Sequence, residues 1–106
     1  MYSIGMTYLL KPGCYADYKK AHDELWPEIA AGMAVNHVSM IIYRYGDRLF
    51  LHANAPTRED WLRSREGPEL ERWTEYMLNY LVADEAGQII FEDMEVAFVF
   101  GVFKEE

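Results

Sequence analysis

His37-Val-Ser-Met-Ile-Ile-Tyr-Arg-Tyr45 and Arg48-Leu-Phe-Leu-His-Ala-Asn54 are two apolar-rich runs joined by Gly46-Asp47, and they decide the fold. A two-residue loop of this kind closes a tight β-hairpin, and a tight loop fixes the register. With Tyr45 and Arg48 flanking the turn, Tyr43 faces Phe50 and Ile41 faces His52. The faces then separate, because successive strand residues point to opposite sides. Val38, Met40, Ile42, Leu49, Leu51 and Ala53 make an aliphatic face suited to lying under helices. Ser39, Ile41, Tyr43, Tyr45, Phe50, His52 and Asn54 make an aromatic and polar one.

On the N-terminal side, Tyr2, Ile4, Met6, Tyr8 and Leu10 alternate with Ser3, Gly5 and Thr7, a strand with one large and one small face. Lys11-Pro12-Gly13 breaks it. A helix is expected from about Cys14 to Met33, ending near Gly32 and Asn36. Pro27 falls inside it, where it removes an amide donor and crowds the carbonyl of Asp23. On the C-terminal side Thr57 is placed to cap a short helix, with Asp60 three residues on and Trp61 buried behind it. Gly67-Pro68 stops that helix and starts another, whose inner face carries Leu70, Trp73, Met77 and Leu81, flanked by Tyr76 and Tyr80. Ala83 to Gln88 reads as a loop, the centre of Ile89 to Phe103 as a final strand, and Lys104-Glu105-Glu106 as a tail.

The order is β-α-β-β-α-β. This is an α+β, ferredoxin-like pattern: a four-stranded antiparallel sheet with helices on one face only, formed by one domain over residues 1–106. An apolar sheet face must bury itself against something, and no segment remains to cover the other side. A second copy of the chain is the simplest cover, so a homodimer packed sheet to sheet is expected.

The 106 residues, 51% apolar and 15% aromatic, suffice for one core. Eighteen acidic against 10 basic residues give a formal charge of −8. The Lys and Arg are scattered, with no basic stripe, so nucleic acid and anionic membrane are poor partners. No apolar run approaches the roughly 20 residues of a membrane span, and the N-terminus lacks a signal-like pattern. A soluble, unprocessed chain is expected. Cys14 is the only cysteine, which excludes an internal disulfide and makes the cytoplasm the default compartment.

The chemistry is carried by few residues. There is no Gly-rich phosphate loop, no paired-Cys zinc spacing and no GxSxG elbow. His22, His37 and His52 show no metal-ligand spacing, so no metal is expected, and Cys14 is given no role. On a helix, Tyr18 and His22 lie one turn apart on one face. Taken alone, a His on an apolar helix face suits a hydrogen-bonded rim residue as well as a catalytic one. Its ordinary pKa near 6.5 makes it the natural proton shuttle at neutral pH. Trp and Tyr lining a concave site offer flat apolar faces for a sugar ring.

The run Tyr18-x-x-x-His22-x-x-x-Trp26-Pro27-Glu28, then a strand pair, Trp61, Arg72-Trp73-x-x-Tyr76-Met77 and a closing Met94-Glu95-Val96-Ala97-Phe98, resembles the L-rhamnose mutarotase family. The likeness runs almost end to end, and the helix motif is its most specific piece. It implies a dimeric ferredoxin-like sandwich and a cofactor-free isomerase that interconverts the α and β anomers of L-rhamnose or a related 6-deoxysugar. The family's catalytic His falls on His22 as proton donor, and its substrate-binding helix Tyr falls on Tyr18. Trp73 is the family's stacking Trp. Met40 stands where the family has a substrate-contacting Tyr, and Thr74 where it has a second Trp, which makes the expected pocket roomier and less aromatic. Two other readings use the same residues. One is a small polyketide-cyclase-like enzyme on the same dimeric scaffold, taking an aromatic or polyene substrate into a pocket with Met40, Thr74 and His22. The other is a non-catalytic ligand-binding dimer.

Overall fold

The computed structural model describes residues 1–104. Eight elements follow in chain order: β1 (Tyr2–Leu9), α1 (Tyr15–Asp23), α2 (Pro27–Val35), β2 (Ser39–Tyr45), β3 (Arg48–Ala55), α3 (Arg58–Ser64), α4 (Pro68–Met77) and β4 (Glu92–Asp93). The sheet order is β2-β3-β1-β4, with every neighbouring pair antiparallel. Each crossover therefore skips one strand, which is the split βαβ arrangement of a ferredoxin-like fold.

The hairpin register is as its loop dictates: Tyr45 pairs with Arg48, Tyr43 with Phe50 and Ile41 with His52. Leu49, Leu51 and Ala53 are buried beneath the helices, while Ile41, Tyr43 and Tyr45 on the opposite face are exposed. The Thr57 hydroxyl accepts from the Asp60 amide at the start of α3. Pro68 opens α4, and Leu70, Trp73 and Met77 face the core, as does Leu81 beyond its end.

Two elements differ from the sequence reading. The expected continuous helix over Cys14 to Met33 is two helices, because Trp26 adopts φ −59° and ψ 134° and Pro27 becomes the first residue of α2. A residue before proline is pushed out of the α region, and proline at a helix start gives up no hydrogen bond. Pro27 therefore strains nothing; it starts an element. The second difference is the last strand. Only Glu92–Asp93 pairs with β1, opposite Thr7 and Met6, and the Met94 amide adds one bond to the Gly5 carbonyl. Continued past Met94, this register leaves only Ile4, Ser3 and Tyr2 of β1 to face residues 95–97, so β1 runs out before Phe98 and Phe100; at the other end Leu9 and Lys11 are bonded to Val82 and Tyr80. Residues 94 to 100 have no regular structure, and Gly101–Phe103 forms a short 3₁₀ turn.

That segment supplies part of the cover that the open face lacks. A Cβ on Gly5, which lies on this face, would stand 3.3 Å from the end of Met94, so the small residue makes room for the methionine. The Phe103 ring meets His52 edge-on at 5.3 Å. Val96, Phe98, Phe100 and Val102 nevertheless stay exposed. Glu105 and Glu106 of the expected tail lie outside the described residues.

Candidate active site

Between the helices and the aliphatic face of the sheet lies a cavity of about 700 Å³, within the usual range for small-molecule sites of about 300–1,000 Å³. Tyr18, His22, Met40, Trp73 and Thr74 all line it. Tyr18 and His22 come from α1, Met40 from the helix-facing side of β2, and Trp73 and Thr74 from α4. Tyr18 and Trp73 are buried, Met40 and His22 partly so, and Thr74 stands exposed at the rim.

His22 is held by its own helix. Its Nδ1 lies 2.9 Å from the Tyr18 carbonyl oxygen. A carbonyl only accepts, so Nδ1 carries the hydrogen and donates, which leaves Nε2 as the unprotonated nitrogen of the neutral ring. The imidazole also lies against the Tyr18 ring, centroids 4.2 Å apart, and meets Trp73 edge-on at 5.2 Å. Burial pushes the His22 pKa below 6.5, outweighing the opposing pulls of the Tyr18 carbonyl and Asp23. At neutral pH the ring is a neutral base with one nitrogen free.

The Tyr18 hydroxyl lies 3.0 Å from that of Tyr8, a buried residue on the large-residue face of β1. Two hydroxyls that share one hydrogen bond leave a second hydrogen to offer to another acceptor. Burial raises both phenols above their ordinary pKa, and for Tyr18 the Tyr8 hydroxyl adds to the rise. They are hydrogen-bond donors rather than acids.

Trp26 does not line the cavity; it builds the wall behind it. Its ring meets Trp73 edge-on at 5.1 Å and stacks parallel to Tyr76 at 5.6 Å. The Trp-Pro pair thus breaks the helix just after His22 and turns an indole back against Trp73.

Tyr8 and Arg65 are among the cavity residues that sequence reading missed. Tyr8 is one of five large residues in an alternating strand, and nothing in the pattern singles it out. Arg65 caps the C-terminus of α3, outside any periodic pattern. It is partly buried, with its guanidinium carbon 5.3 Å from the Trp61 ring centroid. Among the described residues no group of three or more His, Cys, Asp or Glu is arranged to hold a metal, and no helix is long and apolar enough to cross a membrane.

The family model for L-rhamnose mutarotase matches residues 3–100. An L-rhamnose mutarotase of Mannheimia succiniciproducens is 22% identical over 97 residues, covering 89% of this chain and 93% of its own. One of Listeria monocytogenes is 24% identical over 101 residues, covering 92% and 97%. Among solved structures, an L-rhamnose mutarotase from Formosa agariphila superposes with a TM-score of 0.80 at 19% identity, over 95% of this chain and all of the other. A dimeric ferredoxin-like protein from an uncultured marine organism does so with a TM-score of 0.62 at 11% identity, over 93% and 98%. The fold is shared with both structures, and with a family match spanning nearly its whole length the chain belongs to the L-rhamnose mutarotase family.

Proposed function

We propose that this chain is a cofactor-independent isomerase, an aldose 1-epimerase that interconverts the α and β anomers of L-rhamnose or a related 6-deoxysugar, with His22 as its catalytic group. The observation that carries the reading is the Nδ1 bond to the Tyr18 carbonyl, which leaves Nε2 as the unprotonated nitrogen of a neutral imidazole that lines a cavity large enough for a monosaccharide, together with two phenols. In the reaction Nε2 takes the proton of the anomeric hydroxyl as the bond between the anomeric carbon and the ring oxygen breaks. The resulting imidazolium gives that proton to the ring oxygen, which sits on the same carbon as the hydroxyl. The open aldehyde rotates, and the reverse steps on its other face give the second anomer. One imidazole therefore acts first as base and then as proton donor. Tyr18, too weak an acid to surrender its proton, donates a hydrogen bond to the ring oxygen while charge develops there. Trp73 lies against one side of the sugar, and Met40 and Thr74 shape the rest of the pocket. Mutarotation already proceeds in water, so proton-transfer catalysis of about 10² to 10⁴-fold is a sufficient contribution.

The same reading takes residues 1–106 as one unit working in the cytoplasm as a homodimer. Support for the dimer is the unfinished face of the sheet. Ile41, Tyr43 and Tyr45 are 46%, 61% and 84% exposed, and the segment after β4 adds Phe98 and Phe100, 83% and 76% exposed. A patch of this kind marks an interface, and one structural neighbour is a dimer of the same fold.

The test is exchange between anomer signals followed by saturation-transfer NMR. Wild-type protein is expected to accelerate exchange of L-rhamnose or another 6-deoxyhexose above the buffer rate, in proportion to its concentration. No acceleration of any hexose tried, 6-deoxy or otherwise, refutes the reading.

A further inference from the structure

Three charged side chains line the cavity besides the neutral His22: Lys19, Asp23 and Arg65. Lys19 and Asp23 neutralise each other in an ion pair at 2.8 Å, exposed at the rim. Arg65 has no such partner; among the described residues no carboxylate lies within ion-pair distance of it. Arg65 lies over the Trp61 ring, its charge is felt by the Tyr8 phenol, and it also borders a groove with Glu66, Glu71 and Glu75, none of them within ion-pair distance. The cavity wall of a chain with net charge −8 thus carries one uncompensated, partly buried positive charge. A guanidinium stays protonated in proteins, so the site cannot relieve itself by losing a proton. Buried cations are ordinarily paired.

The missing partner can be supplied by a ligand. His22 lies against Tyr18, Tyr18 bonds to Tyr8, and Tyr8 and Arg65 line the same cavity, so the proton-transfer group and the cation share one enclosure. Resting on the mutarotase reading above, we infer that Arg65 receives a carboxylate on the sugar, and that the preferred substrate class is a hexuronate rather than a neutral deoxysugar. A hexuronate carries its carboxylate on the carbon next to the ring oxygen, where a 6-deoxysugar has a methyl group. With His22 at the anomeric carbon and ring oxygen, the carboxylate falls on the adjoining side of the ring. A guanidinium fits a carboxylate with two parallel hydrogen bonds, whereas a phosphate dianion would leave one charge unmatched in the enclosed site.

Matched sugars that differ at this one carbon provide the test: D-galacturonate, D-fucose and D-galactose 6-phosphate, with L-rhamnose as the family's sugar. Anomer exchange is measured with wild type, Arg65→Met and Arg65→Lys. Wild type is expected to give a higher kcat/KM for D-galacturonate than for D-fucose. Arg65→Met should lower the galacturonate value about 10- to 100-fold, the range of a charge-assisted hydrogen bond, and change the D-fucose value little. Arg65→Lys should restore part of the loss. An equal fall for both sugars in Arg65→Met would show that Arg65 only supports Trp61, and overturns the inference. So does a wild-type preference for L-rhamnose or D-fucose over D-galacturonate, which leaves the mutarotase reading standing. Faster exchange of the 6-phosphate overturns the carboxylate assignment. If no sugar is accelerated, the mutarotase reading fails and the inference with it.

Discussion

His22→Gln separates the chemistry of the site from its packing. The imidazole contributes three things to the fold: one hydrogen bond to the Tyr18 carbonyl, a tilted contact with the Tyr18 ring and an edge contact with Trp73. The hydrogen bond is worth about 1 kcal/mol and an aromatic contact about 0.5–1.5 kcal/mol. The Gln amide can still donate to the same carbonyl, so the expected loss of stability is about 1–3 kcal/mol, against a total of about 5–15 for a domain. The variant should fold. Its chemistry is another matter, because an amide cannot take up the anomeric proton. Losing a proton-transfer group costs about 10² to 10⁴-fold, or roughly 2.7–5.4 kcal/mol of barrier. Saturation-transfer NMR with matched concentrations of folded protein reads the rate, and urea unfolding reads the stability. Wild-type rates in a folded His22→Gln protein, on every sugar that wild type accelerates, refute the role of His22.

Four further outcomes follow from particular contacts. Burial holds the His22 pKa below 6.5, so kcat/KM should stay level through neutral pH and fall only as acidity protonates the folded imidazole; an acid limb centred at or above 6.5 contradicts the neutral base. By linkage, the unfolded imidazole takes up its proton first, so the His22 share of stability is intact above about 6.5 and is lost as pH falls through the folded pKa, a component that urea melts of His22→Gln should lack. Thr57→Ala removes the side-chain acceptor at the start of α3 and should cost about 1 kcal/mol in urea melts without altering anomer exchange. Ile41→Lys with Tyr43→Lys places two charges on the open face and should convert a dimer to a monomer in sedimentation velocity; unchanged sedimentation of a dimer moves the interface elsewhere.

Where local rules act alone, the sequence is readable. The hairpin is the best case, since a period of two and a two-residue loop leave only one register that buries Leu49, Leu51 and Ala53. Pro27 was equally local, but a long amphipathic pattern on both sides of it favours one helix, while the pre-proline restriction at Trp26 favours two. The restriction wins because Trp26 finds ring partners in Trp73 and Tyr76 once the chain turns. The last strand fails for a non-local reason. Val96, Phe98 and Phe100 alternate as a strand should, yet the register that pairs Glu92 with Thr7 brings the segment to the start of β1 at Tyr2 before it reaches Phe98, a limit invisible in composition. Arg65 is the costliest omission, because a residue in a helix cap has no periodicity to betray which way it points.

The helix motif therefore combines two kinds of information that fold and function usually keep apart. Tyr18 and His22 set the state of the imidazole within a single helical turn, since the carbonyl that fixes the tautomer belongs to the residue four places earlier. No distant carboxylate is needed to orient the ring, and the desolvation that keeps it neutral comes from its burial, with the Tyr18 and Trp73 rings against it. Trp26 and Pro27 then end α1 immediately beyond, so the next helix leaves in another direction and an indole closes the site from behind. The spacing of Tyr, His and Trp-Pro follows from this geometry: four residues for the tautomer, four more for the break. In the proposed reading Met40 and Thr74 can vary without disturbing His22, for neither touches the bond that defines its tautomer. In the proposed reaction the residues that meet the sugar can change while the imidazole stays held by its own helix, and Arg65, the C-terminal cap of α3, belongs to a different element from Tyr18 and His22.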